Sequence, residues 1–217
     1  DEVTLRCAIF DLDQTVASTA QLLYDSWNDA VTATGKTPFT EQEIVALFGP
    51  PEWVALRQAV GESDFPRAFD AYLRHYHANH AQVRPYEGIR EVLELLSRHG
   101  VCRGMLTGKG RATTEVTLGL LGLRTLFDHV LTGDELQRPK PDPEGIVRIL
   151  SAANCPPEAA IMIGDAVADI GAARAAGVRS GAALWDCEWP DQLRAAKPDL
   201  EFANVEALRE WILGELG

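Results

Sequence analysis

Two carboxylates separated by a single residue, Asp11 and Asp13, directly follow an apolar stretch near the start of the chain. Three later groups of polar residues stand in the same relation to apolar stretches. They are Thr107-Gly108-Lys109, Lys140 between Pro139 and Pro141, and Gly164-Asp165 with Asp169. Together they offer four acids, two lysines and a hydroxyl. Side chains of an extended strand alternate in direction, so Asp11 and Asp13 fall on one side and can share a site. Asp165 adds a third carboxylate, and like charges that close need a cation or a proton. Hard oxygen ligands with room for water suit Mg²⁺. Each piece alone has a plainer reading: Asp-x-Asp as a solvated loop start, Lys140 as a surface lysine, Asp165 and Asp169 as caps of the next helix. The functional reading rests on all of them following strands, in one order along the chain.

The elements that must position these groups are legible as short apolar runs over 4–10, 101–106, 129–131, 160–163 and 178–184, the pattern of strands buried on both faces. Helical spacing lies between them, as in Ile89, Val92, Leu93 and Leu96, and again in Ile146, Ile149 and Leu150. Alternating strand and helix implies an α/β fold with a doubly wound, Rossmann-like parallel sheet, which binds ligands beyond the carboxyl ends of its strands. From Thr19 to Arg84 the alternation stops, with helical periodicity and no strand. The expected organisation is a core of residues 1–17 and 84–217 with an inserted all-helical domain over 18–83. Within the insertion, Thr40 and Glu43 form a capping box, Gly49-Pro50-Pro51 ends that helix and starts the next, and residues 65–82 make a third.

With 217 residues, 46% of them hydrophobic and 24% charged, the chain can bury a sizeable core, which excludes a disordered or fibrous protein. Lys and Arg number 20 against 32 Asp and Glu, a net charge of −12. No basic cluster offsets it, so neither nucleic acid nor an anionic membrane is an expected partner. No apolar run approaches the roughly 18 residues of a span, and Asp1 to Phe10 lacks the order of a signal peptide. Cys7, Cys102, Cys155 and Cys187 are far apart and form no C-x-x-C pair, which fits a reducing, cytoplasmic setting. Nothing in the sequence bears on oligomeric state. Trp185, Trp189 and Trp211 read as packing residues, and His75, His77 and His80 lack an acidic partner for a metal. Arg57, Arg67, Arg74 and Arg84 are the cationic candidates in or beside the insertion for meeting a substrate anion.

Asp11-Leu12-Asp13-Gln14-Thr15, then Thr107, Lys140 and Gly164-Asp165 to Asp169 resemble the motifs of the haloacid dehalogenase superfamily of phosphohydrolases, over nearly the whole chain. The helical insertion looks like that superfamily's small cap domain. Gly49-Pro50-Pro51, Pro85-Tyr86-Glu87-Gly88 and Pro139-Lys140-Pro141-Asp142-Pro143 look like its phosphoglycolate phosphatase branch. The resemblance implies a nucleophile at Asp11 that forms an aspartyl-phosphate, and a general acid and base at Asp13. It implies Mg²⁺ held by Asp11, the Asp13 backbone carbonyl and Asp165, with Asp169 in support. Leu12, Thr107, Gly108 and Lys140 would hold the phosphoryl oxygens, with Thr107 and Lys140 contributing to catalysis.

The implied substrate is a small phosphorylated metabolite: 2-phosphoglycolate, a sugar phosphate or a nucleotide. A phosphosugar mutase of the same superfamily keeps the same core residues and stays open as an alternative, as does a non-catalytic protein that binds a phosphorylated metabolite. A dehalogenase is disfavoured by Asp13. A phosphonatase is disfavoured because Lys36, the one lysine of the insertion, sits away from Gly49-Pro50-Pro51. The chain departs from the family's usual pattern at Gln14, where Gly is common, and at Gly108, where Asn is common.

Overall fold

The computed structural model describes residues 4–217, so the first three residues of the expected core segment and of the signal-peptide reading lie outside the described residues. Along the chain the strands are β1 (Cys7–Phe10), β2 (Ala17–Ser18), β3 (Arg84–Pro85), β4 (Cys102–Leu106), β5 (His129–Leu131), β6 (Ala160–Gly164), β7 (Arg179–Ala183) and β8 (Leu200–Phe202). Six of them form one parallel sheet in the order β5-β4-β1-β6-β7-β8. The central strand β1 thus has the earlier strands on one side and the later ones on the other. Such a reversal opens a crevice at the carboxyl ends of the strands.

Helices cover both faces, and the strand residues alternate between two cores as a pleated strand requires. Ala8, Phe10, Met105, Ile161 and Ile163 pack with α5 (Ile89–Arg98) and α10 (Val205–Leu216) on one face. Cys7, Ile9, Leu106, Ala160 and Met162 pack with α7 (Glu144–Ala152) and α8 (Val167–Ala176) on the other. A fully buried Phe10 contributes roughly 1.5–3 kcal/mol relative to an exposed one. Also on the core are α6 (Arg111–Leu120) and α9 (Pro190–Ala195). No helix among the described residues is long and apolar enough to cross a membrane.

Between β2 and β3 come α1 (Ala20–Thr32), α2 (Glu41–Val45), α3 (Glu52–Val60) and α4 (Phe65–Ala78), with a hydrophobic cluster of their own around Leu22, Trp27, Ile44, Leu56, Tyr72 and Tyr76. Thr40 and Glu43 make the reciprocal capping bonds at the start of α2. The two connections to the core pair with each other, Ala17 opposite Pro85 and Ser18 opposite Arg84.

Several expected boundaries shift. The first strand begins at Cys7 rather than at residue 4, and β7 covers Arg179–Ala183 rather than 178–184. The helix expected over 65–82 ends at Ala78, where the Asn79 side chain bonds back to the His75 carbonyl and a single 3₁₀ turn, His80–Gln82, follows. The edge strand β8 was not expected, because Leu200-Glu201-Phe202 is too short and too polar to read as a buried run.

Candidate active site

Phe10 is the last residue of β1, and the chain then turns tightly. The amides of Thr15, Val16 and Ala17 all donate to the Leu12 carbonyl. Asp11 stays at the strand end, its amide bonded to the Ile163 carbonyl and its Oδ1 accepting from Leu12 N–H at 2.7 Å. At the end of β6, Asp165 accepts from Thr15 Oγ1 at 2.8 Å. Asp169, fully buried in the first turn of α8, caps it by accepting from Ala166 N–H at 3.0 Å. One carboxylate oxygen each from Asp11, Asp165 and Asp169 lies within 4.8 Å of the others.

Lys140 reaches this cluster from the loop after β5, its peptide bond to Pro141 being cis. Its Nζ lies 2.6 Å from Asp169 Oδ1, 3.2 Å from Asp11 Oδ2 and 3.2 Å from the Leu106 carbonyl. Burial works against the Lys140 charge, yet Asp11 and Asp169 hold the amine protonated above its usual range. Burial raises Asp11 to about 7 against the pull of Lys140, with Asp169 and Asp13 adding to the rise. Asp165 is pushed well up by burial first, then by Asp11 and Asp169. When ionised, three hard carboxylates facing one ammonium leave a deficit of two positive charges. That donor set and charge fit a divalent cation such as Mg²⁺.

The alternation expected to put Asp13 beside Asp11 stops when the strand ends at Phe10. The Asp13 carboxylate instead engages the Thr19 hydroxyl at 2.5 Å and Lys109 Nζ at 3.4 Å, and the third carboxylate with Asp11 and Asp165 is Asp169. Thr107, buried at the end of β4, bonds through its amide to the Leu131 carbonyl and through its Oγ1 to the Lys109 amide at 3.2 Å. Gly108 lies against the insertion, where a Cβ would come within 3.2 Å of the Gly49 carbonyl. A side chain there, as at the family's usual Asn, would need the Gly49 carbonyl to give by a few tenths of an ångström.

Lys109 is not solvated. It is buried beneath the Tyr76 ring, 4.8 Å from its centroid. Burial alone would lower its pKa, but Asp13, Tyr76 and Tyr72 raise it well above the ordinary lysine value. Gln14 adopts a left-handed φ of 58° and uses its amide fully. Its Oε1 accepts from the Thr19 and Ala20 amides at 3.0 and 3.1 Å, and its Nε2 donates to Asp186 at 2.7 Å. Thr15 falls within the first motif without a role assigned to it, whereas Thr19 and Asp186 carry no motif signal in the sequence, and only folding brings them to the site.

The insertion clasps this edge of the sheet. Glu52 accepts from the Gly110 amide at 2.7 Å and from the Thr113 hydroxyl, at the start of α6, while the Trp53 indole donates to Asp134. Beside them a cavity of about 330 Å³ is lined by Glu52, Trp53, Arg57, Phe65, Gly110 and Asp134. Arg57 stacks on Phe65 at 4.4 Å, whereas Arg67 pairs with Asp64 just before α4, Arg74 with Asp70 within it, and Arg84 bonds neighbouring carbonyls. Trp185 packs on Tyr86 and Trp211 on Phe202, while Trp189 is half exposed. His75 bonds Ser26, His80 bonds Thr117, and no three-ligand metal cluster other than the aspartates occurs among the described residues.

Fold and site together describe an α/β protein that gathers carboxylates and lysines at the carboxyl ends of its strands. The family model of haloacid dehalogenase-like hydrolases matches residues 8–183. Pyrophosphatase PpaX of Bacillus velezensis is 31% identical over 201 residues, covering 92% of this chain and 93% of the relative. The PpaX of Anoxybacillus flavithermus is 29% identical over 210 residues, covering 95% and 96%. Among solved structures, a predicted phosphoglycolate phosphatase from Haemophilus somnus superposes with a TM-score of 0.84 at 21% identity, covering 95% of this chain and 97% of that one. CbbY from Rhodobacter sphaeroides, in complex with phosphate, gives 0.80 at 20% identity, covering 93% and 95%. The chain belongs to the haloacid dehalogenase-like hydrolase family and is an enzyme of the phosphatase class.

Proposed function

We propose that this enzyme hydrolyses a small phosphomonoester through an aspartyl-phosphate on Asp11, with Mg²⁺ held by Asp11, Asp165 and the Asp13 backbone carbonyl and supported by Asp169. The observation that carries the reading is the placement of Lys140 Nζ, 3.2 Å from Asp11 and 2.6 Å from Asp169, beside three converging carboxylates. An ammonium there offsets charge on a phosphoryl group attacked by Asp11. When bound, the cation neutralises the carboxylates and polarises the phosphoryl oxygens.

An Asp11 carboxylate oxygen attacks phosphorus and the ester P–O bond breaks, while the Asp13 carboxyl gives its proton to the departing alkoxide. Asp13 then takes a proton from water, whose oxygen attacks the phosphorus of the aspartyl-phosphate. The P–O bond to Asp11 breaks, releasing phosphate and restoring the carboxylate. Thr107 with the amides of Leu12 and Gly108 cradles the phosphoryl oxygens alongside Lys140. Residues 18–83 act as a cap domain that excludes water while the intermediate exists.

A 2-phosphoglycolate, a sugar phosphate or a nucleotide suits this chemistry. Pyrophosphate is a second reading, favoured by the pyrophosphatases that match along more than nine-tenths of the chain. The test is phosphate release from a panel of these compounds with and without Mg²⁺, with Asp11→Asn as blank. Selective, metal-dependent release that the variant lacks is expected. Release by Asp11→Asn would remove that residue as the nucleophile, and release without divalent cation would remove the metal from the reading.

A further inference from the structure

Lys109 presents the least explained energetics in the molecule. Its side chain is 1% exposed, and Nζ makes no hydrogen bond. An ammonium taken out of water is costly unless an opposite charge or an oriented dipole replaces its hydration. The replacements are the Asp13 carboxylate, with Oδ1 at 3.4 Å, and the face of Tyr76, with its centroid at 4.8 Å. Both are built in from elsewhere. Tyr76 belongs to α4 of the insertion, stacks on Tyr72 and is fixed by a 2.8 Å hydrogen bond between its hydroxyl and Thr117. Thr117 in turn bonds His80. The Lys109 backbone is tied by its amide to Thr107 Oγ1. A lysine held on three sides, with its charge at one carboxylate, is placed to orient that carboxylate.

We propose that Lys109 is a positioning residue for Asp13, pressed into place by Tyr76 of the insertion. The inference rests on the reading of Asp13 as the acid and base. Thr19 and Lys109 both approach Asp13 on Oδ1. With that oxygen occupied, Oδ2 is the one presented to the leaving group, and it carries the proton to the alkoxide and from the water. Rotation of the carboxyl would mix the two oxygens and misdirect the proton, and Lys109 resists that rotation by charge as well as by contact. Phosphoryl binding at Lys140 and attack by Asp11 do not require Lys109.

The experiment uses leaving groups that differ in their need for a proton. An alkyl phosphate needs one, whereas p-nitrophenolate departs without it. Lys109→Met keeps length and bulk and removes the charge. A positioned acid contributes on the order of 10²–10⁴-fold, and loss of its orientation forfeits part of that. The expected result is read in kcat/KM, which ends at departure of the leaving group and so leaves out the hydrolysis common to both esters: a value for an alkyl phosphate lowered by about 30-fold or more, and a value for p-nitrophenyl phosphate lowered by less than about 3-fold. Equal loss on both esters, or loss on neither, overturns the proposal.

Asp13→Asn runs in parallel and should show the same selectivity. If it spares the alkyl ester, the acid assignment itself fails and takes this inference with it. If it is selective and Lys109→Met is not, only the inference fails. Tyr76→Leu provides a second route should Lys109→Met not fold. It removes the ring face and should lower the alkyl-to-aryl rate ratio more than Tyr76→Phe does, and equal ratios for the two overturn the role of the insertion.

Discussion

Replacing Gln14 tests whether the departure from glycine at this turn serves a structural purpose. Gln14 stands at φ 58°, a conformation that costs a non-glycine residue on the order of 1 kcal/mol. Against this, its Oε1 caps α1 through the Thr19 and Ala20 amides, where Thr19 itself supplies no side-chain cap. A helix N-cap is worth about 1 kcal/mol. Its Nε2 donates to Asp186 at 2.7 Å, a partly exposed bond worth roughly 0.5–1 kcal/mol. Gln14→Ala keeps the strain and loses the cap and the Asp186 bond, so stability should fall by about 1.5–2 kcal/mol. Gln14→Gly loses the same bonds but relieves the strain, recovering about 1 kcal/mol of that loss. For a chain of this size 1 kcal/mol is about 2–4 °C in Tm, so Gln14→Ala should melt about 3–8 °C below wild type and Gln14→Gly about 2–4 °C above Gln14→Ala. Scanning calorimetry with urea titration as a check measures both gaps. A Gln14→Ala protein that melts with the wild type would refute the capping role, and coincident melting of the two variants would refute the strain.

Gly164→Ala should disable the site from within the sheet, because a Cβ there would lie 2.1 Å from Asp169 Oδ2 and 2.3 Å from its Cγ, and Asp169 is fully buried. The expected cost is about 1–3 kcal/mol of stability, with phosphate release lost as Asp169 parts from Lys140 and Ala166, and an active, stable variant would show that the close approach is immaterial. Asp128 is raised by burial, but the bonds from Arg103 outweigh that and hold its pKa below the usual aspartate value. Its folded pKa being depressed, the stabilisation is present above the ordinary aspartate range near pH 4 and is lost as pH falls through the folded value. Asp128→Asn should therefore cost up to about 1 kcal/mol at pH 7, a gap that closes toward pH 3 in urea titrations; a gap independent of pH would sink the assignment.

What the sequence makes legible depends on the range over which the deciding interaction acts. The strands β1 and β6 and the second half of β4 are readable because a stretch buried on both faces is apolar throughout, and the polar residue that ends each run is then a strand-end residue. Asp11, Thr107 and Asp165 follow from that rule, and the capping box of Thr40 and Glu43 follows from an equally local one. The rule fails one residue too far. Period-two alternation applies only while the chain is extended, and β1 stops at Phe10, so Asp13 could not be oriented from spacing.

The contacts that orient Asp13 come from Thr19, in the connection to the insertion, and from Lys109, 96 positions along in the numbering of the chain. The second follows the end of β4 and is legible as a strand-end polar residue, but its sequence neighbourhood does not say that it turns to Asp13. Asp186 meets Gln14 across 172 positions, and β8 is a strand only because β7 offers it an edge. Each unread feature is therefore a pairing between distant segments, in which neither partner's own sequence signal names the other. The residues proposed for the chemistry lie at or near strand ends and can be read, whereas the orientation proposed for Asp13 depends on where the helical insertion docks. A substitution in α4, outside every motif, should for that reason alter proton transfer while leaving phosphoryl binding intact, which is the separation that the Tyr76 variants measure.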